Sequence, residues 1–106
     1  MSAPFEVLYS GSAREDLIRL FDFLLDRAKT AKDFESAKFA LDVIRDTVER
    51  SLSRAPFAYR KAGGSPFLRE LLIPFGGAGY VALYEIKDAT QVVVLAVRHQ
   101  LEDDYH

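Results

Sequence analysis

The sequence predicts an α+β domain, with an antiparallel helical hairpin packed on one face of a four-stranded, mainly antiparallel sheet, in the order β-α-α-β-β-β. Three observations carry this. Two long segments before Pro56 place apolar residues at spacings of three and four, the period of a helix. At Pro56 the period changes, and runs rich in β-formers follow. Short links join those runs, so consecutive strands pair antiparallel.

The elements follow in order. FEVLY (5–9) reads as a short strand. Ser12 is the expected N-cap of the first helix. In SARE, Ser12 can accept from the Glu15 N–H while Glu15 reaches back to the Ser12 N–H. Leu17, Leu20, Phe21, Leu24, Leu25 and Ala28 then mark one helical face, which should end near 28–30. Asp33 is the candidate N-cap of the second helix. Ala37, Leu41, Ile44, Val48 and Leu52 form its apolar stripe. That helix stops at Arg54-Ala55, because the residue before Pro56 is pushed out of the helical region. The strands are FLRELLIPF (67–75), YVALYEI (80–86) and QVVVLAV (91–97), with turns at GGAG (76–79) and KDAT (87–90). The unbroken apolar run of the last strand implies that both its faces are covered.

A chain of 106 residues makes one domain, 1–106, with one core. It is 49% hydrophobic with eight Phe and five Tyr, the composition of a folded protein. The absence of cysteine excludes disulfides and thiolate metal sites and suits a reducing cytoplasm. MSAPFEVLYS has neither a basic start nor a long apolar run, so no signal peptide is expected, and no stretch is apolar enough to span a membrane. The net charge of −2 argues against a dedicated nucleic-acid binder. That average hides an asymmetry. From Arg50 to Arg69 there are five bases and no acid, whereas the tail carries Glu102, Asp103 and Asp104.

GGAG is followed by a strand, not by the helix N-terminus that a phosphate loop requires, so it is a hairpin turn. In FLRELL, Phe67, Arg69 and Leu71 share one strand face, and Leu68, Glu70 and Leu72 share the other. A charge that close to a core needs a partner. Arg69 is therefore either functional or part of a salt bridge that orients the sheet. Arg98 and His99 close the last strand. A lone histidine is more often structural than functional, yet it titrates near neutral pH. No metal-ligand spacing and no nucleophile triad is present, and no cofactor is expected.

These residues also carry a family pattern. AREDL opens the first helix, SRAPFAYRKAGGSPFLREL leads into the sheet, and YVALYEI and VVVLAVRH precede the terminal VRHQLEDDY. The chain, from about Phe5 to Tyr105, resembles the RelE/ParE superfamily of type II toxins, in particular the ParE branch of plasmid-stabilisation toxins. The resemblance implies a toxin that inhibits DNA gyrase and blocks replication, held in a hetero-oligomer by a ParD-like antitoxin. It implies neither a membrane partner nor direct sequence-specific recognition of nucleic acid. On this reading the toxin acts by binding and is not an enzyme. Arg54, Arg60, Lys61, Arg69 and Arg98 are its candidate target contacts, and Phe21, Phe34 and Phe39 its candidate antitoxin contacts.

The alternative implied by the resemblance is a ribosome-dependent mRNA endonuclease of the RelE type. Arg69, His99 and Tyr105 would then stabilise charge and move protons. Gln100 stands near where that branch has an arginine, the basic cluster before the strand is reduced to Arg60 and Lys61, and the acidic tail would repel RNA.

Overall fold

The first helix begins earlier than its sequence motif implies. The computed structural model describes residues 4–100 and places strand β1 at Glu6–Tyr9 and helix α1 at Gly11–Asp26. Ser10, not Ser12, is the N-cap, and its Oγ accepts the Ala13 N–H at 3.1 Å. The reason is tertiary. The Ser10 N–H donates to the Val94 carbonyl and its Oγ to the Leu95 carbonyl, so the last strand holds Ser10 extended and the chain turns helical at once.

Helix α2 spans Ala31–Arg54, and its N-cap is Thr30 rather than Asp33. Thr30 Oγ1 accepts the Asp33 N–H at 3.1 Å, and Asp33 Oδ2 accepts the Lys29 N–H at 3.0 Å. Asp33 thus closes a reciprocal cap from inside the first turn. The predicted stripe Ala37, Leu41, Ile44, Val48 and Leu52 is buried along its whole length. A short 3-10 turn, Pro56–Ala58, follows as Pro56 demands.

The remaining strands are β2 (Arg60–Lys61), β3 (Leu68–Phe75), β4 (Ala78–Ile86) and β5 (Gln91–His99). The sheet has five strands in the order β1-β5-β4-β3-β2, not four. The added one, β2, is two residues long and carries no alternation to read. Only its pairing with β3, Arg60 opposite Glu70 and Lys61 opposite Arg69, makes it a strand. The β1–β5 pair is parallel and the others are antiparallel.

Gly76 takes a φ of 61°, the left-handed conformation that suits glycine at the β3–β4 hairpin. At Gly79 a side chain would collide with the Ile73 carbonyl oxygen.

Both helices cover one face of the sheet. Leu17, Leu20, Ile44, Val48 and Leu52 meet Leu71, Ile73, Ala82, Tyr84, Val92 and Val94 in one core. Each large apolar side chain so buried stabilises the fold by ~1.5–3 kcal/mol. The β5 strand is not covered equally on both faces. Val92, Val94 and Val97 are buried under the helices, while Val93 and Leu95 on the far face are half-buried. No helix among the described residues is long and apolar enough to cross a membrane.

Candidate functional site

The carboxyl end of β5 is positioned by a bulge. Leu83 of β4 lies opposite Ala96, but Tyr84 lies opposite Val94, so Leu95 has no partner residue in the ladder. One extra residue reverses the in–out alternation beyond it. Val97 and His99 therefore face the helices, and Arg98 faces the other side, opposite Val81. Asp16 holds this arrangement. It is 5% exposed, and its Oδ2 accepts the Val97 N–H at 2.9 Å, at the β5 edge that β1 is too short to cover.

His99 sits edge-on against Tyr80, with ring centroids 5.5 Å apart and planes at 88°. Tyr80 meets Phe75 at 6.2 Å, and Phe75 meets Phe39 of α2 at 6.0 Å. A run of four rings thus joins the end of β5 to the surface of α2. Burial raises the Tyr80 phenol above its usual pKa. The Arg98 Nη1 donates to the carbonyls of His99 and Gln100 at 3.3 and 3.4 Å, which closes the chain around the strand end.

Arg69 has a different setting. Its Nε donates to the Pro66 carbonyl at 2.8 Å, and its Nη1 to the Phe57 and Tyr59 carbonyls at 3.0 and 2.7 Å. It is neither in a core salt bridge nor turned outward. It ties the chain between α2 and β3 to the sheet. Beside it the Tyr84 hydroxyl donates to the Pro56 carbonyl at 2.6 Å. Burial pushes that phenol up to about 12, and the Arg69 charge opposes the shift. The salt bridge in this strand belongs to Glu70, whose carboxylate meets Arg60 Nε at 3.0 Å on the opposite face.

The structure does not bring Arg69 and His99 together. Arg69 lies opposite Tyr84 on one side of β4, and His99 opposite Tyr80 on the other. By strand geometry these positions are about 16 Å apart. Tyr105 lies outside the described residues. Lys61, paired opposite Arg69, and Arg54 are exposed, and Arg60 is engaged by Glu70. Arg98 is at the far end and on the other face. Among the described residues no cluster of three His, Asp or Glu could hold a metal.

The three phenylalanines do not share a strip. Phe21 lines a groove of about 470 Å³ between the helices, with a floor of Leu17, Ile18 and Leu41 and a rim of Arg14, Lys38, Arg45 and Asp42. Phe34 stands at the hairpin tip beside Leu25 and Ala28. Phe39, 60% exposed, rests on Phe75 at the sheet's end.

A family model described as "ParE toxin of type II toxin-antitoxin system, parDE" matches residues 7–104. The chain belongs to this family. It is 38% identical over 91 residues to Toxin RelE3 of Caulobacter vibrioides, covering 85% of this chain and 88% of that one. A solved structure described as the chromosomal ParDE TA system from P. aeruginosa shares the fold, with a TM-score of 0.72 at 17% identity. That match covers 92% of this chain and 98% of the other. The protein is a type II toxin built on two helices and a mixed sheet.

Sequence reasoning about the toxin missed Asp16 and Ile18. Asp16 had a readable signal. Ala13, Asp16, Leu17 and Leu20 are spaced three, one and three apart, so a carboxylate stands inside the buried stripe of α1. A buried charge needs a donor, and the backbone of a distant strand supplies it.

Proposed function

We propose that the toxin binds DNA gyrase and blocks replication, and that a ParD-like antitoxin neutralises it in a hetero-oligomer in the cytoplasm. One observation favours binding over cleavage. Among the described residues, the two side chains an RNase would use lie apart, with Arg69 committed to three backbone carbonyls about 16 Å from His99 by strand geometry. Phosphodiester cleavage requires cation and proton carrier to converge on one phosphate. A surface that acts by contact has no such requirement.

The groove between α1 and α2 suits an antitoxin segment. Its apolar lining takes hydrophobic anchors at helical spacing, and its three bases, Arg14, Lys38 and Arg45, against the one acid Asp42 favour acids beside them. The test of the main reading is a gyrase supercoiling and DNA-cleavage assay with purified toxin. Inhibition with accumulated cleaved DNA, relieved by antitoxin, is the expected result. Full gyrase activity at high toxin overturns it.

The name of the Caulobacter relative, Toxin RelE3, favours a second reading, mRNA cleavage on the ribosome. Toeprinting on translating ribosomes separates the two, and new mRNA 5′ ends dependent on His99 support the second.

A further inference from the structure

Outside the helix groove and the end of β5, one surface combines features that point to a ligand. It is built by the chain between α2 and β3. Phe57 and Phe67 are 50% and 49% exposed, and their rings meet edge-to-face with centroids 6.2 Å apart. The Arg69 guanidinium lies 5.4 Å from the Phe57 ring centre. Lys61 is directly opposite Arg69 in the β2–β3 pair, so both side chains leave the same face. Phe67 lies in the turn just before β3, and its ring contact with Phe57 brings it beside Arg69. Arg54 closes α2 three residues before Phe57 and is exposed.

Charge is sorted between the faces. No acid occurs from Arg50 to Arg69. The first one after it, Glu70, leaves from the opposite face and is engaged by Arg60. The side with the two rings therefore presents cations without a carboxylate from this stretch.

The backbone that carries the rings is also held in place. Arg69 holds the carbonyls of Phe57, Tyr59 and Pro66 from beneath, and Tyr84 holds that of Pro56. Little ordering remains to be done when a ligand arrives. Exposed aromatic rings beside cations are the parts of a stacking platform for unpaired nucleic-acid bases. The rings take base faces, and Lys61 and Arg54 meet the phosphates between them. A duplex hides its base faces and would gain only the charge contacts.

We propose that Phe57, Phe67, Lys61 and Arg54 form a binding platform for unpaired DNA, read without sequence preference. This rests on the gyrase reading, in which the toxin works beside the ends of cleaved DNA. The target contact then includes the DNA strand as well as protein.

The experiment is fluorescence anisotropy of a labelled oligothymidylate with whole toxin, alongside a duplex and an oligouridylate of equal length. Gyrase inhibition is measured on the same preparation. Oligothymidylate should bind more tightly than duplex, with log affinity falling by about 0.7 per phosphate contacted for each unit of log salt. The double variant Phe57→Ala/Phe67→Ala should lose roughly tenfold or more in affinity. Lys61→Glu, on an exposed two-residue edge strand, should weaken binding with an unchanged melting curve, which covers the case in which the double variant misfolds.

Failure to bind oligothymidylate by toxin that does inhibit gyrase overturns the platform and leaves the gyrase reading standing. Binding by toxin that leaves gyrase untouched supports the platform and overturns that reading. Preference for oligouridylate overturns the assignment to DNA. Equal binding by wild type and both variants overturns the assignment to these residues, and retention of gyrase inhibition by variants that no longer bind makes the contact one of protein alone and overturns its role at the target.

Discussion

The two ends of the sheet handle their polar side chains in opposite ways. At the β2–β3 end, Arg69 turns inward and donates to the carbonyls of Phe57, Tyr59 and Pro66. The side chain builds the local backbone. At the carboxyl end of β5 the order is reversed. A carboxylate from α1 builds the backbone by taking the Val97 N–H, and the backbone then aims His99 at Tyr80. A strand arginine can therefore be scaffold, while a histidine's direction can depend on an aspartate 83 residues earlier in the chain. Residue type and position alone would have given both the same role.

The largest expected effect comes from breaking the β5 end. Asp16→Ala leaves the Val97 N–H without its acceptor and should cost ~3 kcal/mol. The bulge loses its tether, so the NMR contact between His99 and Tyr80 should weaken or vanish. Asp16→Asn keeps an acceptor oxygen and should recover more than half of the loss. If the His99–Tyr80 contact survives in Asp16→Ala, the bulge is set by the strands alone.

At the other end, Arg69→Lys should cost about 2 kcal/mol in urea denaturation, because an ammonium cannot span three carbonyls as the guanidinium fork does. Hydrogen exchange should speed up across residues 57–66 and stay unchanged near His99. Uniform acceleration would mean that the two ends are coupled.

Alkaline pH should loosen the Arg69 end next. The Tyr84 phenol is pushed up from 10.0 to about 12 by burial, as is that of Tyr9, where the Glu49 charge adds to the effect. A raised folded-state pKa gives stability that is complete below pH 10 and lost as pH climbs toward 12. Ionised Tyr84 can no longer donate to the Pro56 carbonyl. The urea midpoint should fall through this window, and Tyr84→Phe should flatten the fall while lowering stability at neutral pH.

His99→Phe should be smaller, within ~1 kcal/mol of the native chain, because the ring contact with Tyr80 is kept. Under the gyrase reading, toxicity in cells persists in this variant, and under the RNase reading it is lost. Smallest of all is Tyr9→Phe. The Tyr9 hydroxyl is buried with no hydrogen-bond partner among the described residues, so removing it should change stability by ~0.5 kcal/mol or less, or raise it. A large loss would reveal a partner for that hydroxyl.

By itself, the sequence determined the hairpin, the three long strands and the core. Leu17 and Leu20, and then Leu41, Ile44, Val48 and Leu52, announce their faces because burial repeats with the local period of a helix. The turn at Gly76 and the helix stop before Pro56 are equally local, since each follows from the backbone freedom of one residue. The family pattern was legible for the same reason, as an ordered series of such segments.

Tertiary structure alone decided the rest. Arg60–Lys61 is a strand only because Arg69 and Glu70 lie beside it. Ser10 displaced Ser12 as cap because β5 holds it. Asp16 finds its donor 81 residues away, and the bulge beside that bond decides which of Arg98 and His99 looks toward the helices. A hydrogen bond between distant segments leaves no period in the chain, and one extra residue in a strand inverts every side chain beyond it.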